Sequence, residues 1–453
     1  MIKRIKKYKI NGYELDKAQV KAVTSKRQRI LVLAGAGSGK SLTIIGRVKY
    51  LIHELNVNPK DILCISFTND AVNNLKNDLN EKEVDVMTFH KLALKVIGRK
   101  KEILTQDMLT DVIMDTFSND TLFGLFGMSK KDMYVLVRTF INLFKSNNYN
   151  LDMFYKFINR ANKKDKILLK EIMKCYICYE SYLKKENLLD FNDMINEGIK
   201  MLDSSNVRYK YIIIDEYQDT SVTKFNFIRK LIKLSNASFF AVGDDFQSIY
   251  RFTGATLKVI TNFKTTFPFG KVFKLKNTYR TPDEIINVAG KFIMKNKMQI
   301  RKKLKSTNKL KGSIEVVYYE NLNNKINEII IKNKIDNLFI LSRNNNDLKE
   351  VKVDNISLRK MTIHKSKGLQ ANYVFVIGLN NNKNGFPNKV KDHEILKYVN
   401  NYKEYYPYEE ERRLFYVALT RCKKKVYLFV PNNNESIFIK ELKRYKNIIV
   451  REN

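Results

Sequence analysis

An α/β fold on parallel sheets, entered through a phosphate-binding loop, is predicted by three observations. A short apolar run, Ile30–Leu33, feeds directly into Ala34–Ser41 (AGAGSGKS), after which Leu42, Ile44, Ile45, Val48 and Leu51 recur at helical spacing. A second apolar run, Tyr211–Ile214, ends in the adjacent acids Asp215 and Glu216. Between them, from about Val96 to Asn187, strand-like runs stop and lysine-rich helical periodicity takes over, which marks an all-helical insertion.

The strand–turn–helix context gives the loop its chemistry. Gly35, Gly37 and Gly39 let the backbone curl so that several N–H groups face one anion, with Ala34 before them and Ala36 and Ser38 between them. The helix N-terminus adds its positive dipole end, Lys40 reaches towards the outer phosphates, and the Ser41 hydroxyl suits Mg²⁺. A strand ending in two acids supplies the other half of a triphosphatase: Asp215 for Mg²⁺ and Glu216 to position and deprotonate water. Ala34 stands where the strict loop pattern has Gly.

Length and charge bound the rest. At 453 residues the chain exceeds the size of one hydrophobic core, so two to four domains are expected. A formal charge of +36 spread over the whole chain points to a polyanionic partner, most simply nucleic acid. An AT-rich genome would also enrich Lys, Asn and Ile, but does not require this imbalance. Cys64, Cys175, Cys178 and Cys422 are too few and scattered for a disulfide framework, and the lone Cys175/Cys178 pair reads as helix packing. No run approaches the roughly 20 apolar residues of a membrane span, and the basic N-terminus lacks the pattern of a secretory signal. The chain reads as soluble and cytoplasmic.

In chain order, Leu15–Gln19 is a helix start ahead of the loop, and the Gln19 amide suits an adenine edge. Strands at 61–69 and 84–90 end in Phe67-Thr68-Asn69 and Thr88-Phe89-His90, at the sheet edge where ligands of α/β folds bind; Phe67 suits base stacking and Thr88 a phosphate. The strand Ser238–Val242 leads to Gln247, a candidate γ-phosphate sensor, with Tyr250 and Phe252 as stacking faces. Strands at 313–319, 337–342, 373–377 and 426–430 suit a second doubly wound sheet. The helical insertion and the basic run Met294–Lys311 each have two readings, a nucleic-acid flank or a solvated surface.

These motifs together resemble the UvrD/Rep/PcrA type of superfamily 1 DNA helicase. The match runs through Leu15–Gln19, AGAGSGKS at 34–41, SFTN at 66–69, TFH at 88–90, LLDF at 188–191, DEYQDT at 215–220 and VGDDFQSIYRF at 242–252. It continues with NTYRT at 277–281, TIHKSKGL at 362–369, GFP at 385–387 and EERRLFYVALTRC at 410–422. The resemblance implies two RecA-like P-loop cores, with ATP and Mg²⁺ in the cleft between them and single-stranded DNA across the top. The first core would comprise residues 1–95 and 188–270, the helical insertion 96–187, and the second core 271–453. It implies Gln19 as adenine reader, Tyr279 stacking on the base, and Arg280 and Arg421 reaching the γ-phosphate from the second core. Gly368 and Gln370 would lie at the nucleotide, and Phe67, Thr88, His90, Tyr250, Phe252 and His364 would face DNA.

The implied activity is that of an ATP-dependent single-stranded-DNA translocase and 3′–5′ helicase in repair, replication or recombination, acting at single-strand/duplex junctions. The alternative is a DNA-stimulated ATPase subunit of a larger nuclease-containing or phage-defence complex; no nuclease within the chain is expected. Three departures stand out. Only Asn344–Lys360 occupies the place of a large inserted subdomain. Gln370 replaces the usual Glu. Phe252 and Thr253 stand where Trp and often Arg are found, a smaller stacking face without its cation.

Overall fold

The computed structural model describes residues 8–98, 102–104, 110–114, 126–353, 357–400 and 404–451. Two six-stranded sheets organise the chain. The first runs in the order 271–275, 29–34, 238–243, 211–214, 62–66, 85–88, with every neighbouring pair parallel. The second runs 357–362, 337–342, 371–376, 422–431, 314–319, 449–451, again all parallel. This is the mixed α/β architecture expected, with two parallel cores.

Parallel strands covered on both faces must be apolar at nearly every position, and the alternation is visible in the packing. Leu31 and Leu33 enter the core on one face of the first sheet, while Ile30, Val32 and Ala34 enter the core on the other. In the second sheet Val316 and Leu341 face one core, and Val317 and Ile340 face its opposite. Both sheets therefore place their loops at the strand carboxyl ends, where ligands bind in this architecture.

Three strands of the two six-stranded sheets escaped the sequence reading. Ser357–Thr362 and Ile449–Arg451 are the two edges of the second sheet. Lys271–Leu275 pairs in register with Ile30–Ala34 and so extends the first sheet beyond residue 270, where the second core was expected to begin. It was illegible because an edge strand interrupted by Lys271 and Lys274 lacks the continuous apolar run of a central one.

The expected insertion forms helices Lys130–Ser146, Leu151–Arg160 and Lys163–Lys185. Part of the expected insertion, including residues 105–109 and 115–125, lies outside the described residues. Glu102–Ile103 pairs with Leu188–Leu189, so the described entry and exit of this unit lie side by side. The helical core is aromatic, with Phe144 and Phe154 at 4.1 Å between ring centroids. Cys175 is buried and Cys178 exposed on the third helix, both as free thiols. No helix among the described residues is long and apolar enough to cross a membrane.

An arm of the chain that follows the second core's Phe386-Pro387 docks into this helical core. Ile395, Leu396 and Val399 are buried there, Tyr398 packs 5.7 Å from Phe157, and Lys397 pairs with Asp165 at 2.7 Å. Truncating Leu396 to Ala removes a buried anchor and should cost about 2–5 kcal/mol of local stability. Hydrogen exchange of residues 393–400 should accelerate while the strand Cys422–Pro431 stays protected.

Candidate active site and nucleic-acid interface

The loop Ala34–Ser41 adopts the shape its glycines allow. Gly37 and Gly39 have φ of 69° and 77°, the left-handed region open to residues without Cβ. Space is equally restrictive: a Cβ on Gly37 would sit 2.6 Å from Arg280 Cβ, and one on Gly39 would sit 2.6 Å from Gln19 Nε2. Ala34 closes its strand, Ser38 Oγ donates to the Gly35 carbonyl at 2.8 Å, and Leu304 packs against Gly35. The chain beyond the first sheet grips the loop from above, Thr278 Oγ1 donating to the Ala36 carbonyl at 2.7 Å and Tyr279 N to that of Gly37 at 2.9 Å.

A cavity of about 520 Å³ opens over the loop. It is lined by Gly37, Ser38, Gly39, Lys40, Ser41, Glu216, Gln247, Tyr279, Arg280, Gly368, Gln370 and Arg421, together with Leu42, Asn308 and Lys423. Twelve positions singled out from sequences far apart in the chain thus converge on one space. Gln19 sits behind the loop rather than in the cavity. Its Oε1 accepts from Asp16 N at 2.8 Å in a capping box, and its Nε2 donates to the Ser38 carbonyl at 3.2 Å, so here it braces the loop. Tyr279 is 47% exposed at the mouth, its hydroxyl donating to Asp16 at 2.8 Å.

The acids differ in electrostatics. Lys40 Nζ lies 2.7 Å from Glu216 Oε1. Burial pushes the Glu216 carboxyl up, but Lys40 and then Lys367 more than offset this and hold it down at about 2. Burial and the neighbouring Glu216 charge push Asp215 up to about 6. Glu216 also carries backbone strain, a φ of 47° at the start of a 3₁₀ turn. Opposite them, Arg421 is 1% exposed and donates from Nη2 to Gln247 Oε1 at 3.0 Å. Burial, then the like charge of Arg280, lowers Arg421 to about 9.

The expected DNA-facing residues fall into two groups. Tyr250, Phe252 and His364 form an aromatic cluster with centroids 5.8–6.5 Å apart, and line a second cavity of about 1480 Å³. Arg343, Lys365, Lys389 and Lys391 also line it. Phe67, Thr88 and His90 lie elsewhere, at the far end of the first sheet: Phe67 packs 5.3 Å from Phe89 and His90 5.0 Å from Phe191. The Thr88 hydroxyl caps the following helix by accepting from Lys91 N at 3.2 Å.

The family model of the UvrD/REP helicase N-terminal domain matches residues 15–268, and that of the UvrD-like helicase C-terminal domain matches 318–433. The chain belongs to the UvrD/REP helicase family. It is similar to DNA helicase IV of Escherichia coli K12, 28% identical over 98% of this chain and 72% of that protein. A probable DNA helicase of Mycoplasma pneumoniae is 26% identical over 97% of this chain and 87% of its own length. ATP-dependent DNA helicase Rep of Buchnera aphidicola (subspecies Acyrthosiphon pisum) is 32% identical over 70% of this chain; the match spans about half of that relative, 51%.

Within this UvrD-like chain, sequence reasoning missed Lys367, which pairs with Asp219 and donates to the Gln247 carbonyl at 2.8 Å. It sat in a quoted motif, but nothing in the spacing indicated a partner 148 positions away. Nor is Thr253 the end of the cation story. Arg251, two residues earlier, lines the large cavity and bridges Glu410 at 2.6 Å and Asp392 at 2.8 Å. The basic run near 300 is not one surface either, because the Lys302 side chain is only 2% exposed.

Burial, then Lys224 for His90 and Arg343 for His364, lowers both imidazoles to about 4. Below about pH 6.5 the unfolded chain therefore binds more protons than the folded one. The contribution of these residues is full above that pH and is lost as pH falls towards 4. Thermal melts between pH 7 and 4 should fall less steeply for His90→Gln and His364→Gln than for the wild type.

Proposed function

We propose that this chain is an ATP-driven translocase on single-stranded DNA that unwinds duplexes with 3′–5′ polarity in DNA repair, replication or recombination. The observation that carries the proposal is the composition of the smaller cavity. Lys40 and Glu216 come from one sheet's loops, Arg280 and Arg421 from segments leading to and within the other, and Gln247 touches Arg421 between them. Charge on a transferred phosphoryl group needs cations from both sides, so hydrolysis would depend on closure of the two cores. We assign the first core to residues up to about 275 with the helical unit inserted in it, and the second core to the remainder.

The residues suit a magnesium nucleotide. Ser41 at the helix start has an exposed hydroxyl, and Asp215 offers a carboxylate; both are hard oxygen donors. Mg²⁺, when bound, would neutralise phosphate charge and orient the outer phosphates. Lys40 is poised to exchange its partner. Once its ammonium turns to phosphate, the cation that holds Glu216 down is drawn away, and burial raises the carboxylate's proton affinity, as a base for water requires. Gln247 stands three residues before Tyr250, whose hydroxyl donates to the His364 carbonyl at 3.1 Å, so nucleotide state and strand grip share one short segment.

Lys40→Ala and Glu216→Gln should each reduce DNA-stimulated ATP hydrolysis by about 10²-fold or more while single-stranded-DNA affinity stays near wild type. Retained turnover in both would exclude the assignment. Unwinding of 3′-tailed but not 5′-tailed duplexes tests polarity, and binding should weaken steeply between 50 and 200 mM salt.

The short connection at 344–360 favours a second reading, a DNA-stimulated ATPase within a larger nuclease-containing assembly. Its described residues hold one short helix, Asn345–Lys349, before the strand that starts at Ser357. Robust turnover without unwinding by the isolated chain, with a nuclease co-purifying from its source, would select this reading.

A further inference from the structure

Lys302 is buried between two carboxylates of the segment that carries the candidate γ-phosphate sensor. Its ammonium contacts Asp244, lies 2.7 Å from Asp245 Oδ1 and sits 3.9 Å from the Phe246 ring centroid; both acids are 0% exposed. Asp245 Oδ2 also accepts from Ile300 N at 2.7 Å, and Gln299 donates to the Asp245 carbonyl at 2.7 Å. The stretch 299–302 is thereby fastened to the first core.

Asp244 is the node of the network. Its Oδ2 accepts from Gln247 Nε2 at 2.6 Å. With its donor committed there, Gln247 turns Oε1 to Arg421. Through its backbone N–H, Asp244 donates to Gln218 Oε1 at 2.8 Å, and Gln218 Nε2 donates to Glu216 Oε2 at 2.6 Å. Asp244 thus meets groups aimed at the cavity from two directions, Gln247 through its carboxylate and Gln218, itself bonded to Glu216, through its backbone N–H. Lys302 reaches it from the connection between the cores. Helix Asp283–Ile293 packs within the second core, and the chain then returns to pair Lys305–Ser306 with Asn277–Thr278 above the phosphate loop.

We propose that Lys302 is a positioning residue for ATP hydrolysis: by clamping the Asp244 carboxylate it fixes which end of the Gln247 amide meets Arg421, and ties that choice to the inter-core connection. This rests on the ATP-driven motor reading above. A lysine here serves better than a neutral donor because two adjacent buried carboxylates need a cation to stay in place. The basic run around it supplies that cation, independently of any DNA contact by its exposed neighbours.

The test compares wild type, Lys302→Met and the double variant Lys302→Met/Asp245→Asn, which removes one of the carboxylates left without a cation and so protects the fold. Single-stranded-DNA-stimulated kcat and KM for ATP are measured, with DNA affinity in the presence and absence of a non-hydrolysable ATP analogue. The expected result is a fall in kcat of about tenfold or more, with KM and nucleotide-free DNA affinity within about twofold of wild type. The ratio of DNA affinities with and without the analogue should move towards one. A folded double variant with wild-type kcat and ratio overturns the proposal. So does a parallel decline of kcat, KM and nucleotide-free DNA affinity, because that pattern reports lost fold rather than lost positioning. Wild-type protein without DNA-stimulated turnover overturns the motor reading and this proposal with it.

Discussion

The two sheets meet over charges that neither could bury alone. Arg421 is 1% exposed and its guanidinium is satisfied by the Val417 carbonyl and by Gln247 from the other core. Lys40 and Glu216 neutralise each other at the opposite wall, and Lys367 crosses to Asp219. Desolvating so many ionised groups is costly unless each has a partner. A polyanion entering the cleft would have to rearrange these pairings.

The same constraint shapes the other junctions. Arg251 meets Glu410 and Asp392, and Lys302 meets Asp244 and Asp245. The arm at 393–400 adds an apolar contact, so the second core is joined to the helical unit as well as to the first sheet. This arm is a direct structural link between the helical unit and the second core. A DNA strand lying along Tyr250, Phe252 and His364 would be bordered by residues of both cores and of the stretch leading into the arm.

The strong charge of +36 is distributed accordingly. Some lysines, such as Lys365, Lys389 and Lys391, line the large cavity. Others, such as Lys145 with Glu180, Asp190 and Asp193, are consumed inside the protein. Net charge thus identifies a class of partner without identifying the residues that touch it.

What the sequence determined alone was local. The strand–loop–helix of Ala34–Ser41 follows from glycine spacing and apolar runs, and the acids at 215–216 from a buried strand that must end at the sheet's carboxyl edge. The helical insertion follows from a change of period, and the ordered motifs identify the family. Only the tertiary structure decided what these residues touch. Lys271–Leu275 joins the first sheet by pairing with Ile30–Ala34, some 240 positions away, a distance that no local pattern reports. Gln19 meets the Ser38 carbonyl, Thr88 caps the helix that follows it, and Lys302 is buried against Asp244 and Asp245, because hydrogen-bond partners are chosen by packing in three dimensions. Periodicity reports which face of an element is apolar; it carries no information about which distant polar group will meet the other.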